Sequence, residues 1–167
     1  MDKLTTDGTE HQHLDKNFMS LDANLAIFHH LLAFALVGVL MAEWAVLRGP
    51  ISAQSVRFLP KLDAAYGIAA LLLLIVGYLR VRYGVKGFAF YSGNPVFWMK
   101  IAFFAAVGLL SIIPTLSFFR WSRAFKSTNA LPTDAQWIRA RRLVLIELHL
   151  LAPVMIFAAI MARGIGL

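Results

Sequence analysis

Four helices packed as a bundle across a lipid bilayer form the fold this sequence predicts, on three observations. Apolar residues make up 59% of the chain and charged residues only 15%, whereas a soluble domain is typically about 45–50% apolar. The apolar residues gather into four blocks, each near the ~20 residues a helix needs to cross about 30 Å of hydrocarbon. Lysine and arginine collect between those blocks, as they do beside membrane helices. Lipid offers backbone groups no partner, so each block must satisfy its own as a helix. The fold class is therefore all-α, an integral membrane four-helix bundle in contact with the lipid bilayer.

Residues 1–23 read as a polar tail, in which Asp2, Asp7, Glu10, Asp15 and Asp22 outnumber Lys3 and Lys16. The basic stretch that opens a secretory signal is missing there, so no cleaved signal is expected. Residues 24–167 form one transmembrane domain. Its first helix runs from about 24 to 47, with Asp22 or Asn24 as cap. The second runs from about 62 to 79 and is the shortest. The third runs from about 96 to 119. Asn94 followed by Pro95 announces it, since Asn caps and Pro suits the first helical turn. The fourth runs from about 143 to 162. Thr133-Asp134-Ala135-Gln136 has the form of a capping box, which extends that helix back to about 133.

Four spans put both termini on one side. That side carries Lys3, Lys16, Arg80, Arg82, Lys86 and Arg163. The other side carries Arg48, Arg57, Lys61, Arg120, Arg123, Lys126, Arg139, Arg141 and Arg142. The richer side is expected to be cytoplasmic, which leaves both termini outside. A bacterial inner (cytoplasmic) membrane is the expected location. The net charge of +7 follows from the same loops. No RNP, zinc-finger or basic-helix motif accompanies it, so no nucleic-acid partner is expected. There is no cysteine, which excludes disulfides, thiolate nucleophiles and cysteine-held metal clusters.

Trp44, Tyr83, Tyr91, Trp98, Trp121 and Trp137 fall near helix ends, where aromatic belts form. On the second helix Asp63, Gly67, Ala70, Leu74 and Gly77 make a stripe of mostly small residues. Such stripes let backbones approach in lipid, so this one is expected to face the bundle interior. On the third helix Lys100, Phe104, Val107, Ser111 and Pro114 share a face, and Pro114 is expected to kink that helix.

Ionisable residues inside a membrane cost about 3 kcal/mol or more at the centre and usually face protein. Here they are His29, His30, Glu43, Lys100, Glu147 and His149, with Asp63 at the edge. Depth sorts them into two layers. His29, His30 and Lys100 lie toward the outer surface. Glu43, Asp63, Glu147 and His149 lie toward the inner one. Glu43 and Asp63 are near enough to the interface to snorkel or to bond between helices, and Lys100 can snorkel outward. Two adjacent imidazoles are harder to place, because they point about 100° apart on a helix.

No Ser-His-Asp order, phosphate loop or HExxH motif is present. His11-Gln12-His13 falls in the polar tail, where weak metal binding is the most it offers. A neutral imidazole in a helical bundle suits haem or copper ligation. Haem b would lie between helices, held by an axial His, with Lys100 serving a propionate. His30 and His149 are expected about 10–15 Å apart along the membrane normal by helical rise. A single-His site or two separate sites therefore fits better than one haem between them.

The stretch His30-Leu31-Leu32-Ala33-Phe34-Ala35-Leu36-Val37-Gly38 resembles the first helix of membrane proteins grouped with copper-resistance protein D and the HemJ-type protoporphyrinogen oxidases. Phe97-Trp98-Met99-Lys100-Ile101 is similar to the start of their third helix. The overall plan also resembles a related family of four-helix predicted membrane proteins of unknown function. The resemblance implies His30 as the haem- or metal-linked residue and Lys100 as its basic companion. It implies an oxidoreductase working with haem b, or copper binding and transport. His29, Glu147 and His149 are additions to that pattern. Three functions result: a haem-binding redox protein with His30, His29, Lys100 and His149 around its cofactor; a copper protein using His30 and His149; and a non-catalytic subunit of a larger membrane complex. A homo-oligomer is a further possible setting.

Overall fold

A computed structural model describes the backbone of residues 3–84 and 87–163 and the side chains of 19–84, 87–161 and 163. Five helices follow in order: α1 (Lys3–Arg48), α2 (Ala53–Tyr83), α3 (Gly87–Ser92), α4 (Pro95–Thr128) and α5 (Asp134–Ala162). Four segments are long and apolar enough to cross a membrane: Met19–Arg48, Ala53–Tyr83, Pro95–Thr128 and Asp134–Met161. Among the described residues there is no strand. The fold is the all-helical membrane bundle expected from the apolar blocks.

Each helix start has a local cause. Ser52 caps α2, its hydroxyl accepting from Ser55 N–H at 3.1 Å. Asn94 caps α4, its Oδ1 accepting from Val96 N–H at 2.9 Å, with Pro95 in the first turn. Thr133 and Gln136 close a reciprocal capping box at the start of α5. At the other end of α4, Asn129 takes a left-handed conformation with φ of 55°. Its N–H donates to the Phe125 carbonyl at 3.0 Å, which satisfies a carbonyl the helix leaves free.

The helices run longer than the apolar blocks. α1 reaches back to Lys3, through the segment expected as a tail. That segment has no Pro and only Gly8 to weaken it, so nothing in it stops a helix. The side chains of His11 and His13 lie outside the described residues. α2 starts at Ala53 rather than near 62 and runs through Pro60. α4 continues past 119 to Thr128, carrying Arg120, Arg123 and Lys126 out of the hydrocarbon. The short α3 was not visible as a hydrophobic period, because six residues are too few to show one.

α1 packs on α2 and α5, and α4 packs on α5 and α2. The four long helices thus form a ring, with α1 diagonal to α4 and α2 diagonal to α5. The closest seams are α1–α2 and α4–α5, two helical hairpins laid side by side. Buried apolar side chains concentrate in the half of the bundle nearer the α1–α2 and α4–α5 connections, termed the inner half after the expected orientation. Leu36, Leu40, Leu47, Val56, Leu59, Phe118, Trp121, Trp137 and Val144 belong to one cluster there.

Two expectations change in detail. The buried face of α2 is Val56, Leu59, Asp63, Tyr66, Ala69 and Leu73, not the stripe through Gly67 and Leu74. Tyr66, Ala69 and Leu73, one position away, turn inward, and Gly67, Ala70 and Leu74 instead line a groove against α4. Trp121 and Trp137 are buried rather than set in a belt. They stack with ring centroids 5.6 Å apart, because α4 and α5 continue together beyond the hydrocarbon. Trp98 and Tyr83 are exposed, as a belt requires. The α4 face holds as expected, with Val107 and Pro114 buried and Lys100, Phe104 and Ser111 half-buried.

Candidate functional site

The inner polar layer is drawn from all four long helices. Glu43 on α1 and Glu147 on α5 are each only 1% exposed, and Asp63 on α2 is 5% exposed. The three carboxyl groups are within electrostatic reach of one another, and of the Tyr66 hydroxyl. Thr115 on α4 donates its hydroxyl hydrogen to Asp63 Oδ1 at 2.7 Å. One oxygen of Glu43 and one of Glu147, each an Oε1, have no hydrogen-bond partner. Arg48, Arg57 and Lys61 nearby in sequence are exposed. Arg48 lies over the Trp44 ring at 5.0 Å and Arg57 over the Phe125 ring at 5.1 Å. The interior layer is thus acidic and the surrounding rim basic.

The outer layer has the opposite chemistry. His29 is half-buried and packs on α2 at Gly77, where an added Cβ would stand 3.3 Å from the ring Cε1. Its buried Nδ1 has no hydrogen-bond partner. Arg80 and Lys100 lie within electrostatic reach of it and of each other. The Nε of Arg80 is buried and without an acceptor, as is the Nδ2 of Asn94. Lys100 Nζ sits 5.4 Å from the centre of the Phe97 ring. Tyr91 on α3 closes the layer from above. Burial pushes its phenol up from the usual range, Arg80 pulls it down and Asp22 adds to the rise. Asp22 itself lies against Gly84 at the end of α2.

Among the described side chains, the other two histidines, His30 and His149, stand apart from the layers in which depth alone would set them. His30 is exposed, and its Nδ1–H donates to the Ala26 carbonyl at 2.6 Å. His149 is exposed in the same way, donating to the Leu145 carbonyl at 2.7 Å. That bond fixes the tautomer and leaves Nε2 with its lone pair outward. The two are not brought together. His149 is half a turn from Glu147, whereas His30 lies about 19 Å up α1 from Glu43 at 1.5 Å per residue. Among the described residues no group of three or more His, Asp or Glu side chains is placed to hold a metal ion.

A groove runs from the inner layer toward the outer one. It lies between α2 and α4, encloses about 360 Å³, and is lined by Asp63, Gly67, Ala70, Leu74, Phe104, Gly108, Ser111 and Thr115 among others. Asp63 and Thr115 form its inner end. One turn beyond Leu74 and Phe104 come Gly77, with His29 upon it, and Lys100. Cβ atoms added at Gly67 or Gly108 would meet nothing within 4 Å, so the small residues keep the walls low.

The sequence singled out His29, His30, Glu43, Asp63, Lys100, Glu147 and His149; His30 and His149 are exposed, and the other five are buried or half-buried. It passed over Arg80, which reads as a cation at the end of the second helix, and Tyr66 and Thr115. Arg80 is three residues beyond Gly77 and so continues the face that carries His29. That spacing was the available signal.

A family model described as "Predicted membrane protein (DUF2214)" matches residues 21–166. The match spans all four membrane segments, and the chain belongs to this family. No curated protein matches the chain, and no solved structure does.

Proposed function

We propose that this integral membrane protein binds haem b in the outer half of its bundle and takes part in membrane redox chemistry. The observation that carries the reading is the donor set of the outer layer. An imidazole with an unpartnered buried nitrogen lies within electrostatic reach of Lys100 and of Arg80, whose buried Nε also lacks an acceptor. Buried polar groups are normally satisfied, and an unsatisfied set calls for an explanation. An apolar ligand bearing carboxylates supplies one. The groove beneath these residues falls within the roughly 300–1,000 Å³ of small-molecule sites and is mostly apolar. The resemblance of the stretches around His30 and Lys100 to HemJ-type proteins points to the same cofactor.

In this reading His29 would hold the haem through its imidazole, and Arg80 and Lys100 would pair with its carboxylates. Gly67, Ala70, Leu74 and Phe104 exclude water from the slot. Haem b, when bound, supplies one-electron transfer. The chain's own residues bind it, orient it and set its polarity.

The test is an absorption spectrum of the full chain purified in detergent after expression with ample haem. A Soret band is expected, lost in His29→Ala and retained in His30→Ala. The reverse pattern moves the ligand to His30, whose Nε2 is free. A colourless preparation that co-purifies with other membrane subunits supports a scaffold role instead.

A further inference from the structure

We propose that Glu43, Asp63 and Glu147 form a proton-binding site in the inner half of the bundle, loaded from the α2–α4 groove through Asp63 and Thr115. The site is independent of the haem reading, since no group of the outer layer takes part in it.

The three carboxyl groups come from α1, α2 and α5 and lie within electrostatic reach of one another. Two of them are almost completely enclosed, yet each leaves an oxygen with no hydrogen-bond partner. The groups facing them from each packed helix are Tyr66 on α2 and Thr115 on α4, both neutral hydroxyls. The nearest basic residues of α1 and α2 are exposed and lie outside the cluster. A scaffold that needed only packing would fill this space with leucine. Charged groups in hydrocarbon are expensive, and carboxyl groups at membrane depth mark proton relays. A metal ion is a poor occupant, because no three such side chains converge on one point. A proton needs only one oxygen at a time.

The access route is also present. Asp63 lines the groove and holds the Thr115 hydroxyl at 2.7 Å. A proton taken up from water at Asp63 forms one O–H bond. Its transfer to Glu147 or Glu43 breaks that bond and forms another, with no other change in bonding.

The test uses dicyclohexylcarbodiimide, which reacts with protonated carboxyl groups in apolar surroundings. The full chain in detergent micelles is treated at several pH values, and peptide mass spectrometry locates the adduct. The expected result is an adduct on Glu43 or Glu147 whose rate falls as pH rises, lost from the substituted position in Glu43→Gln and Glu147→Gln. Asp63→Asn is expected to slow labelling at least tenfold. Absence of an adduct on both glutamates of the wild-type chain overturns the proposal, and that result needs no variant to fold. Protection by sodium chloride but not choline chloride also overturns it, since the occupant is then a metal cation.

Discussion

The inner and outer halves of this bundle solve the problem of polar groups in lipid in opposite ways. In the inner half, Leu40, Leu47, Leu59, Phe118 and Val144 are sealed, and carboxyl groups sit among them. From Asp63 outward, α2 and α4 leave a groove between them, and donors sit beyond its outer end at His29, Arg80 and Lys100. The inner cluster is acidic with a basic rim. The outer cluster is basic and half-exposed. Packing strength and chemical openness thus trade along the same helices. A tightly packed end fixes the geometry of the hairpins, which leaves the other end free to hold a ligand.

The largest test of that contrast is to empty the packed end. Phe118 is fully buried and its ring lies 5.6 Å from that of Trp121. In lipid the favourable term is packing contact rather than water exclusion. Phe118→Ala should still cost about 3 kcal/mol, the lower part of the range for such truncations in cores. Unfolding of detergent-solubilised protein by increasing SDS measures it. A change below about 1 kcal/mol, less than one tenfold step in the unfolding equilibrium, would mean that the inner half does not anchor the fold.

The open end should respond in binding rather than in folding. Arg80→Met and Lys100→Met each remove a cation while keeping an unbranched apolar stem. Each should weaken retention of an added haem about tenfold, or roughly 1.4 kcal/mol, with little change in SDS resistance. Titration of the Soret band against haem concentration checks this. Equal losses of binding and of stability would show that the outer cations hold the helices together instead.

What the sequence disclosed divides along the same line. The four spans, the Asn94-Pro95 start and the Thr133 box were legible because each depends on neighbours in the chain. So was the sorting of Glu43, Glu147 and Asp63 to the inner layer, since helical rise fixes depth. The rotation of α2 was not. Gly67 and Leu74 share a face with Asp63, as do Tyr66 and Ala69, and only packing against α1 decides which set turns inward. Arg80 was missed for a related reason. It reads as a helix-end cation until Gly77 is seen to seat His29 on the turn before it. The burial of Trp121 and Trp137 was hidden too, because stacking across α4 and α5 joins residues distant in sequence.

A milder probe of the inner end is its cap. Thr133→Ala removes the hydroxyl that accepts from Gln136 N–H and leaves only the bond from the residue's own N–H to Gln136 Oε1. The loss should be about 1 kcal/mol, as for other caps, and should appear as faster amide exchange confined to the first turn of α5. Exchange accelerated along the whole helix would mean that packing there is weaker than the buried Trp137 and Val144 suggest.

The smallest effect separates the two halves within one helix. Gly67 and Gly77 lie on one stripe of α2, ten residues apart. At Gly67 a methyl group meets nothing within 4 Å, whereas at Gly77 it stands 3.3 Å from the His29 ring. Alanine is the better helix former, so Gly67→Ala should leave the haem-free chain unchanged or raise its stability by a few tenths of a kcal/mol. Gly77→Ala must push the imidazole by a few tenths of an ångström, and that strain offsets the same gain. Thermal unfolding of the two variants without haem measures the difference. A Gly77→Ala protein as stable as Gly67→Ala, with an unshifted Soret band when haem is added, would mean that His29 is free to move. The outer layer would then lack the fixed imidazole that the proposed haem site requires.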